Sequence, residues 1–319
     1  MTEPFVRPDV RAFLDALKGN PRPKMNAENI AAMRPMAPAG MAMLEPPVGD
    51  LALTRDATVP GPGGEIPVRL FDSRAEREPG PAVVFFHGGG FVIGNIDTHV
   101  SMCAEIARRL DLPVISVDYR LAPEHPWPAA PDDAEAAARW VAENGEVFGR
   151  KFTGLVLCGD SAGANLTLVA GLALRDRPAA VPVLALLALY PAADPGGSYP
   201  SDEAFGDGYG LDTSDMQFYS GVFRPDRSSW RGSPLVGDQA GMPATLVVTA
   251  GLDPLRDQGR AYAAKAVAAG VPTTYREFPG TIHGFLGFRR VIPSAQGDFE
   301  VVLEIAKAMI GEALAARQA

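Results

Sequence analysis

Seven short runs rich in β-branched, aliphatic and aromatic residues recur along the chain. They are VRLFDS (68–73), AVVFFH (82–87), PVISVDY (113–119), GLVLCGD (154–160), VLALLALY (183–190), ATLVVTAG (244–251) and TTYREFPG (273–280). Several are apolar at nearly every position, the pattern of a strand covered on both faces. Between most of them lie Ala-rich stretches with helical spacing: PDDAEAAARWVAEN, AGANLTLVAGLALRD and DQGRAYAAKAVAAG. FEVVLEIAKAMIGEALAA closes the chain as an amphipathic helix. Strands alternating with helices predict an α/β fold around a mostly parallel sheet, in which ligands bind at the carboxyl ends of the strands.

Two segments break the alternation. Residues 1–50 precede the strand signals and carry FLDALKGN, which has helical spacing, then a Met-rich run, MNAENIAAMRPMAPAGMAML. Methionine adapts to irregular apolar surfaces, so this segment reads as a lid over a pocket. Over fifty residues also separate VLALLALY from ATLVVTAG. A structureless loop of that length is unusual, and DTSDMQFYSGVF reads as a helix within it, with Asp212 or Thr213 available as N-cap.

Composition narrows the class. The chain has 319 residues, of which 47% are hydrophobic, enough for a substantial core. Its net charge of -9 argues against nucleic acid or an anionic membrane as partner. Cys103 and Cys158 are too few for a disulfide framework, and Cys158, inside a strand, reads as an inert buried thiol. Four histidines without a C-x-x-C give no metal-ligand spacing. MTEPFVRPDV carries no signal-peptide pattern, and the longest apolar run is too short to span a bilayer. The expectation is a cytoplasmic protein.

The chemistry begins with VVFFHGGGFVIGN (83–95), three consecutive glycines behind a strand. Glycine there lets something approach the bare backbone. A phosphate is a poor fit, because the glycines miss the G-x-G-x-x-G spacing. A transient oxyanion is a better one. Gly159-Asp160-Ser161-Ala162-Gly163 fits G-x-S-x-G between a buried strand and a helix, the context of a nucleophile elbow. A serine needs a base, and in such folds the order is nucleophile, acid, histidine. Of His87, His99, His125 and His283, only His283 follows Ser161. Asp253, just beyond a buried strand, is favoured as the acid over Asp257, which reads as a helix-start carboxylate. Amides of Gly88, Gly89 and Ala162 are then expected to form the oxyanion hole, with His87 holding the loop.

HGGGF (87–91), DYRLAPEHPWPAA (118–130), GDSAGAN (159–165), DPLRD (253–257) and HGF (283–285) span about two thirds of the chain. In this order the sequence resembles the bacterial hormone-sensitive-lipase-like esterases, a branch of the α/β-hydrolases. The resemblance implies an α/β-hydrolase fold, a mostly parallel central sheet of about eight strands flanked by helices, with a helical cap. The cap would draw on residues 1–50 and the insert 196–231, and the catalytic domain on 51–195 and 232–319. It also implies a carboxylesterase for short- to medium-chain acyl esters, without cofactor or metal, using Ser161, Asp253 and His283. Ala164 stands where the family often has Gly, and Gln258 where it often has Glu. Phe91, Tyr190, Phe205, Tyr209, Phe218 and Phe285 are expected to wall an apolar substrate pocket. The partner is then a small-molecule ester, not nucleic acid or membrane, and a homodimer is an open assembly state. Amidase, lactonase or deacetylase activity would suit the same triad, and a ligand-binding role would suit the same scaffold.

Overall fold

The computed structural model describes residues 3–20 and 24–317. Residues 1–2, 21–23 and 318–319, which belong to the expected 1–50 and 232–319 segments, lie outside the described residues.

The strand runs assemble into one eight-stranded sheet: β1 (Leu53–Gly61), β2 (Gly64–Asp72), β3 (Gly80–Phe86), β4 (Val114–Val117), β5 (Phe152–Asp160), β6 (Val183–Leu189), β7 (Ala244–Leu252) and β8 (Thr273–Ile282). The order is β1-β2-β4-β3-β5-β6-β7-β8. β1 and β2 form an antiparallel hairpin, β2 also runs antiparallel to β4, and the rest are parallel. β1 is the strand that the sequence pattern did not announce: apart from Val59 its residues are exposed or only partly covered.

The helices are α1 (Pro8–Gly19), α2 (Ile30–Met33), α3 (Ala37–Leu44), α4 (Val100–Leu110), α5 (Ala129–Glu143), α6 (Ala162–Asp176), α7 (Pro200–Phe205), α8 (Thr213–Phe223), α9 (Arg256–Ala268) and α10 (Ser294–Ala315). Strand alternation sends Ala82, Val84 and Phe86 of β3 to one face, with α5, α6 and α9. Val83 and Phe85 go to the other face, with α1, α4 and α10. Both faces are buried, so every residue from Ala82 to Phe86 is fully covered. Burying each Val or Phe contributes about 1.5–3 kcal/mol, which is why these runs lack a polar alternation. No helix among the described residues is long and apolar enough to cross a membrane.

The segment before β1 divides in two. The apolar stripe of α1, Val10, Phe13 and Leu14, joins the core layer shared with α4 and α10. Residues 24–45 bury Ile30 in the opposite layer and also reach the loops: Arg34 donates to the carbonyls of Val92 and Ala122 and pairs with Glu124. The Tyr219 hydroxyl of α8 lies 3.8 Å from Met25 Sδ.

Register sets the functional geometry. Phe86 on β3 pairs with Gly159 on β5, so the glycine loop and the serine turn leave the sheet side by side. Leu252 on β7 pairs with Ile282 on β8, and the next residue on each strand is Asp253 and His283.

Candidate active site

Ser161 occupies the turn between β5 and α6 with φ 53° and ψ -114°. A non-glycine residue there costs roughly 1–3 kcal/mol and persists only where its surroundings impose it. The Ser161 N–H donates to Leu189 O at 2.8 Å. The flanking glycines leave no alternative packing. A Cβ on Gly163 would sit 1.9 Å from Phe86 O, and one on Gly159 2.3 Å from Gly163 O. The strained turn aims the half-buried hydroxyl at His283 instead of capping the helix that begins at Ala162.

His283 Nε2 lies 2.8 Å from Ser161 Oγ, and His283 Nδ1 lies 2.8 Å from Asp253 Oδ2. Asp253 is fully buried, and its Oδ1 accepts the Leu255 N–H at 2.8 Å. A carboxylate only accepts, so the proton sits on Nδ1 and the Nε2 lone pair faces the serine. Tyr190 meets the imidazole edge-on at 5.1 Å. Asp257 is occupied elsewhere: it accepts the Ser201 N–H and pairs with Arg256 and Arg260. Gln258, in its less usual place, uses its amide oxygen to accept the Asp194 N–H at 3.0 Å.

The glycine loop corrects one expectation. The Gly88 N–H donates to Asp160 Oδ1 at 2.7 Å, and Gly88 is buried. It is spent inside the protein and is not free to meet an oxyanion. The next two amides differ. The Gly88 carbonyl accepts from His87 Nδ1 at 2.8 Å, and the Gly89 carbonyl accepts from Val92 and Ile93 at 3.0 and 2.9 Å. A trans peptide points its N–H opposite to its carbonyl. The N–H groups of Gly89 and Gly90 therefore face away from those partners. Neither they nor the Ala162 N–H has an acceptor among the described residues. Positive φ at Gly89 (117°) and Gly90 (63°) shapes this turn. His87 is buried, stacks on Tyr119 at 4.3 Å, and burial pushes its pKa down to about 3. It is a neutral clamp on the loop.

Most of the expected pocket aromatics are core. Phe91 stacks on Phe223 at 3.9 Å and is 5% exposed. Tyr190 and Phe285 are buried behind His283 with Phe278, and Phe205 is buried between Tyr209 and Arg256. Rings on these short connections gain more by filling the core than by facing solvent. Tyr209 and Phe218 stay partly exposed. The neighbour of Phe218 was missed: Tyr219 lies so close over Gly90 that a Cβ there would be 2.4 Å from its ring. Only the helical phase of α8, not residue type, separates the two. A cleft of about 470 Å³ bounded by Asp56, Arg69, Asn95, Asp97 and Asp118 includes none of Ser161, Asp253 and His283.

The chain is similar to known proteins along most of its length. A family profile described as the alpha/beta hydrolase fold matches residues 83–287, the interval from the glycine loop to just past His283. Carboxylesterase NlhH of Mycobacterium tuberculosis is 36% identical over 307 residues, 92% of this chain and 95% of its own. Ethyl acetate hydrolase of Pseudomonas putida is 36% identical over 265 residues, 81% of each chain. The solved structure of the ester-hydrolase EH1AB1 from the Lake Arreo metagenome, complexed with a bipyridine phosphonate derivative, superposes with a TM-score of 0.89. It is 37% identical and covers 96% of this chain and 99% of that one. The chain therefore belongs to the α/β-hydrolase family, in its branch of hormone-sensitive-lipase-like esterases.

Proposed function

We propose that this protein is a serine carboxylesterase in which Ser161, His283 and Asp253 act as nucleophile, base and orienting acid. The observation that carries the reading is the unbroken chain of 2.8 Å contacts from Asp253 through His283 to Ser161 Oγ. His283 Nε2 takes the serine proton as Oγ attacks the ester carbonyl. Asp253 holds the imidazole in the required tautomer and stabilises the imidazolium. The amides of Gly89, Gly90 and Ala162 receive the oxyanion, each donor being worth about 2.7–4 kcal/mol of barrier. The Ala162 amide adds the partial positive charge of the α6 N-terminus. His283 returns the proton to the departing alcohol, and water then repeats the sequence on the acyl-enzyme.

Short- to medium-chain acyl esters are the substrate class. Support comes from the relative named for ethyl acetate, and from Tyr219 crowding the space above Gly90. Residues 24–45 together with α7 and α8 form the cap, supported by the contacts of Arg34 and Met25 with the loops and α8. A cytoplasmic site fits Cys103 and Cys158, which are both free and buried. The test is hydrolysis of p-nitrophenyl acetate, butyrate and octanoate by wild type and Ser161→Ala. Turnover is expected for the shorter esters in wild type and at background level in the variant. Substantial turnover by folded Ser161→Ala would reject the nucleophile.

A further inference from the structure

His99 takes no part in the mechanism above, yet it is buried beside His87 of the glycine loop, with ring centroids 5.6 Å apart. Its Nε2 lies 3.3 Å from Asp160 Oδ1, the oxygen that accepts the Gly88 N–H. Asp160 immediately precedes the nucleophile and packs against the glycine loop: a Cβ on Gly88 would be 2.4 Å from its Oδ2.

The protonation of His99 follows from its partners. Thr98 Oγ1 lies 2.7 Å from the Asn95 carbonyl, 3.0 Å from the Asn95 N–H and 2.8 Å from His99 Nδ1. A hydroxyl has one proton and two lone pairs. The carbonyl can only accept, so it takes that proton. The Asn95 N–H takes one lone pair, and the other faces Nδ1, which must then carry hydrogen. Nε2 faces a carboxylate and carries hydrogen too. These partners favour an imidazolium set against a carboxylate.

We propose that the His99–Asp160 ion pair is a positioning device for the oxyanion loop, an assignment that rests on the esterase reading. Asp160 fixes the Gly88 amide and so the start of the turn that presents Gly89 and Gly90. His99 holds the carboxylate in place and cancels its charge. Without that cancellation, a buried negative charge would stand beside the residue on which an oxyanion must form. The electrostatics run the same way. Burial disfavours both charged forms, but the Asp160 charge holds the His99 pKa above its ordinary value, and the His99 charge holds that of Asp160 below its own. Buried Glu45, paired with Arg289, adds a further negative charge that favours the imidazolium.

The test measures kcat and KM for p-nitrophenyl butyrate and for its thiono analogue, with C=S in place of C=O, in wild type, His99→Gln and Asp160→Asn. An oxyanion hole set for oxygen favours the oxo ester. Misplacing it should cost kcat for the oxo ester on the order of 10–100-fold. KM should stay within about twofold, since ground-state binding is untouched. The thiono ester should lose less, so the oxo-to-thiono ratio should fall. A role confined to stability would lower the melting temperature and leave that ratio alone. Asp160→Asn preserves volume but removes the charge that pairs with His99 and strengthens the hold on the Gly88 N–H, and carries the test should His99→Gln not fold. An unchanged ratio in either folded variant overturns the assignment. Failure of the serine mechanism itself is read separately, from activity persisting in Ser161→Ala.

Discussion

Asp253→Asn replaces one oxygen by NH2 and leaves the volume intact, so its effect isolates the role of the carboxylate. The structure determines which way the amide must sit. The Leu255 N–H points at the Oδ1 position from 2.8 Å and requires an acceptor there. Turning NH2 toward it would bury two opposed donors, at a cost of about 1–3 kcal/mol. The amide oxygen therefore stays with Leu255, and NH2 faces His283 Nδ1. That nitrogen must then accept, which moves the imidazole proton to Nε2, opposite Ser161 Oγ. The base presents a hydrogen where its lone pair is needed. Loss of the correct tautomer, and of the charge facing the imidazolium, is worth roughly 10⁴ in kcat, or about 5.4 kcal/mol of barrier. Steady-state hydrolysis of p-nitrophenyl butyrate, with circular dichroism confirming the fold, measures it. A folded Asp253→Asn enzyme retaining a tenth of wild-type kcat would refute this chain of reasoning.

Gly163→Ala places a methyl 1.9 Å from the Phe86 carbonyl with backbone on both sides, so thermal melts should show a loss of several kcal/mol, roughly 3 or more, or no soluble protein; a melt within 2 °C of wild type would contradict the packing. Gly90→Ala meets the Tyr219 ring and a φ of 63°. It should lower kcat/KM, and adding Tyr219→Ala should restore part of it; no recovery would mean that the tyrosine does not press on the loop. His87 is held neutral in the folded state with a pKa of about 3, below the ordinary 6.5. The unfolded chain therefore binds the extra proton, and stability falls as pH drops below about 6.5. Between pH 7 and 5 this one residue removes about 2 kcal/mol. Urea melts at the two pH values test this, and a His87 resonance titrating near pH 6.5 in the native protein would contradict it. Cys103 and Cys158 are buried with thiol pKa values pushed upward by desolvation. They should react with a thiol reagent only after denaturation, and rapid labelling of native protein would contradict their burial.

The parallel strands were readable because burial on both faces leaves continuous apolar runs, as in Val83 to Phe86. β1 was not, because most of its side chains are exposed or half-covered and its pairing with β2 depends on the backbone. α4 was hidden as well: it starts at Val100 behind His99, which makes no side-chain cap. The meeting of Ser161, Asp253 and His283 could be anticipated from their order and their places just beyond strand ends. The fate of the Gly88 amide could not, since its acceptor is 72 residues away. Counting glycines shows that a backbone is bare and leaves open which N–H groups are already used. The depth of the aromatic residues was hidden for a related reason. Sequence gives the ring but not its depth, so Tyr190 and Phe285 were expected beside substrate and instead pack behind the imidazole.

Covalent capture tests the central claim most directly. Native enzyme treated with a fluorophosphonate should gain one adduct by intact mass, and peptide mapping should locate it on Ser161. Labelling should vanish in Ser161→Ala and slow by orders of magnitude in His283→Ala. An adduct on another residue, or labelling of native protein at the same rate without His283, would contradict the account.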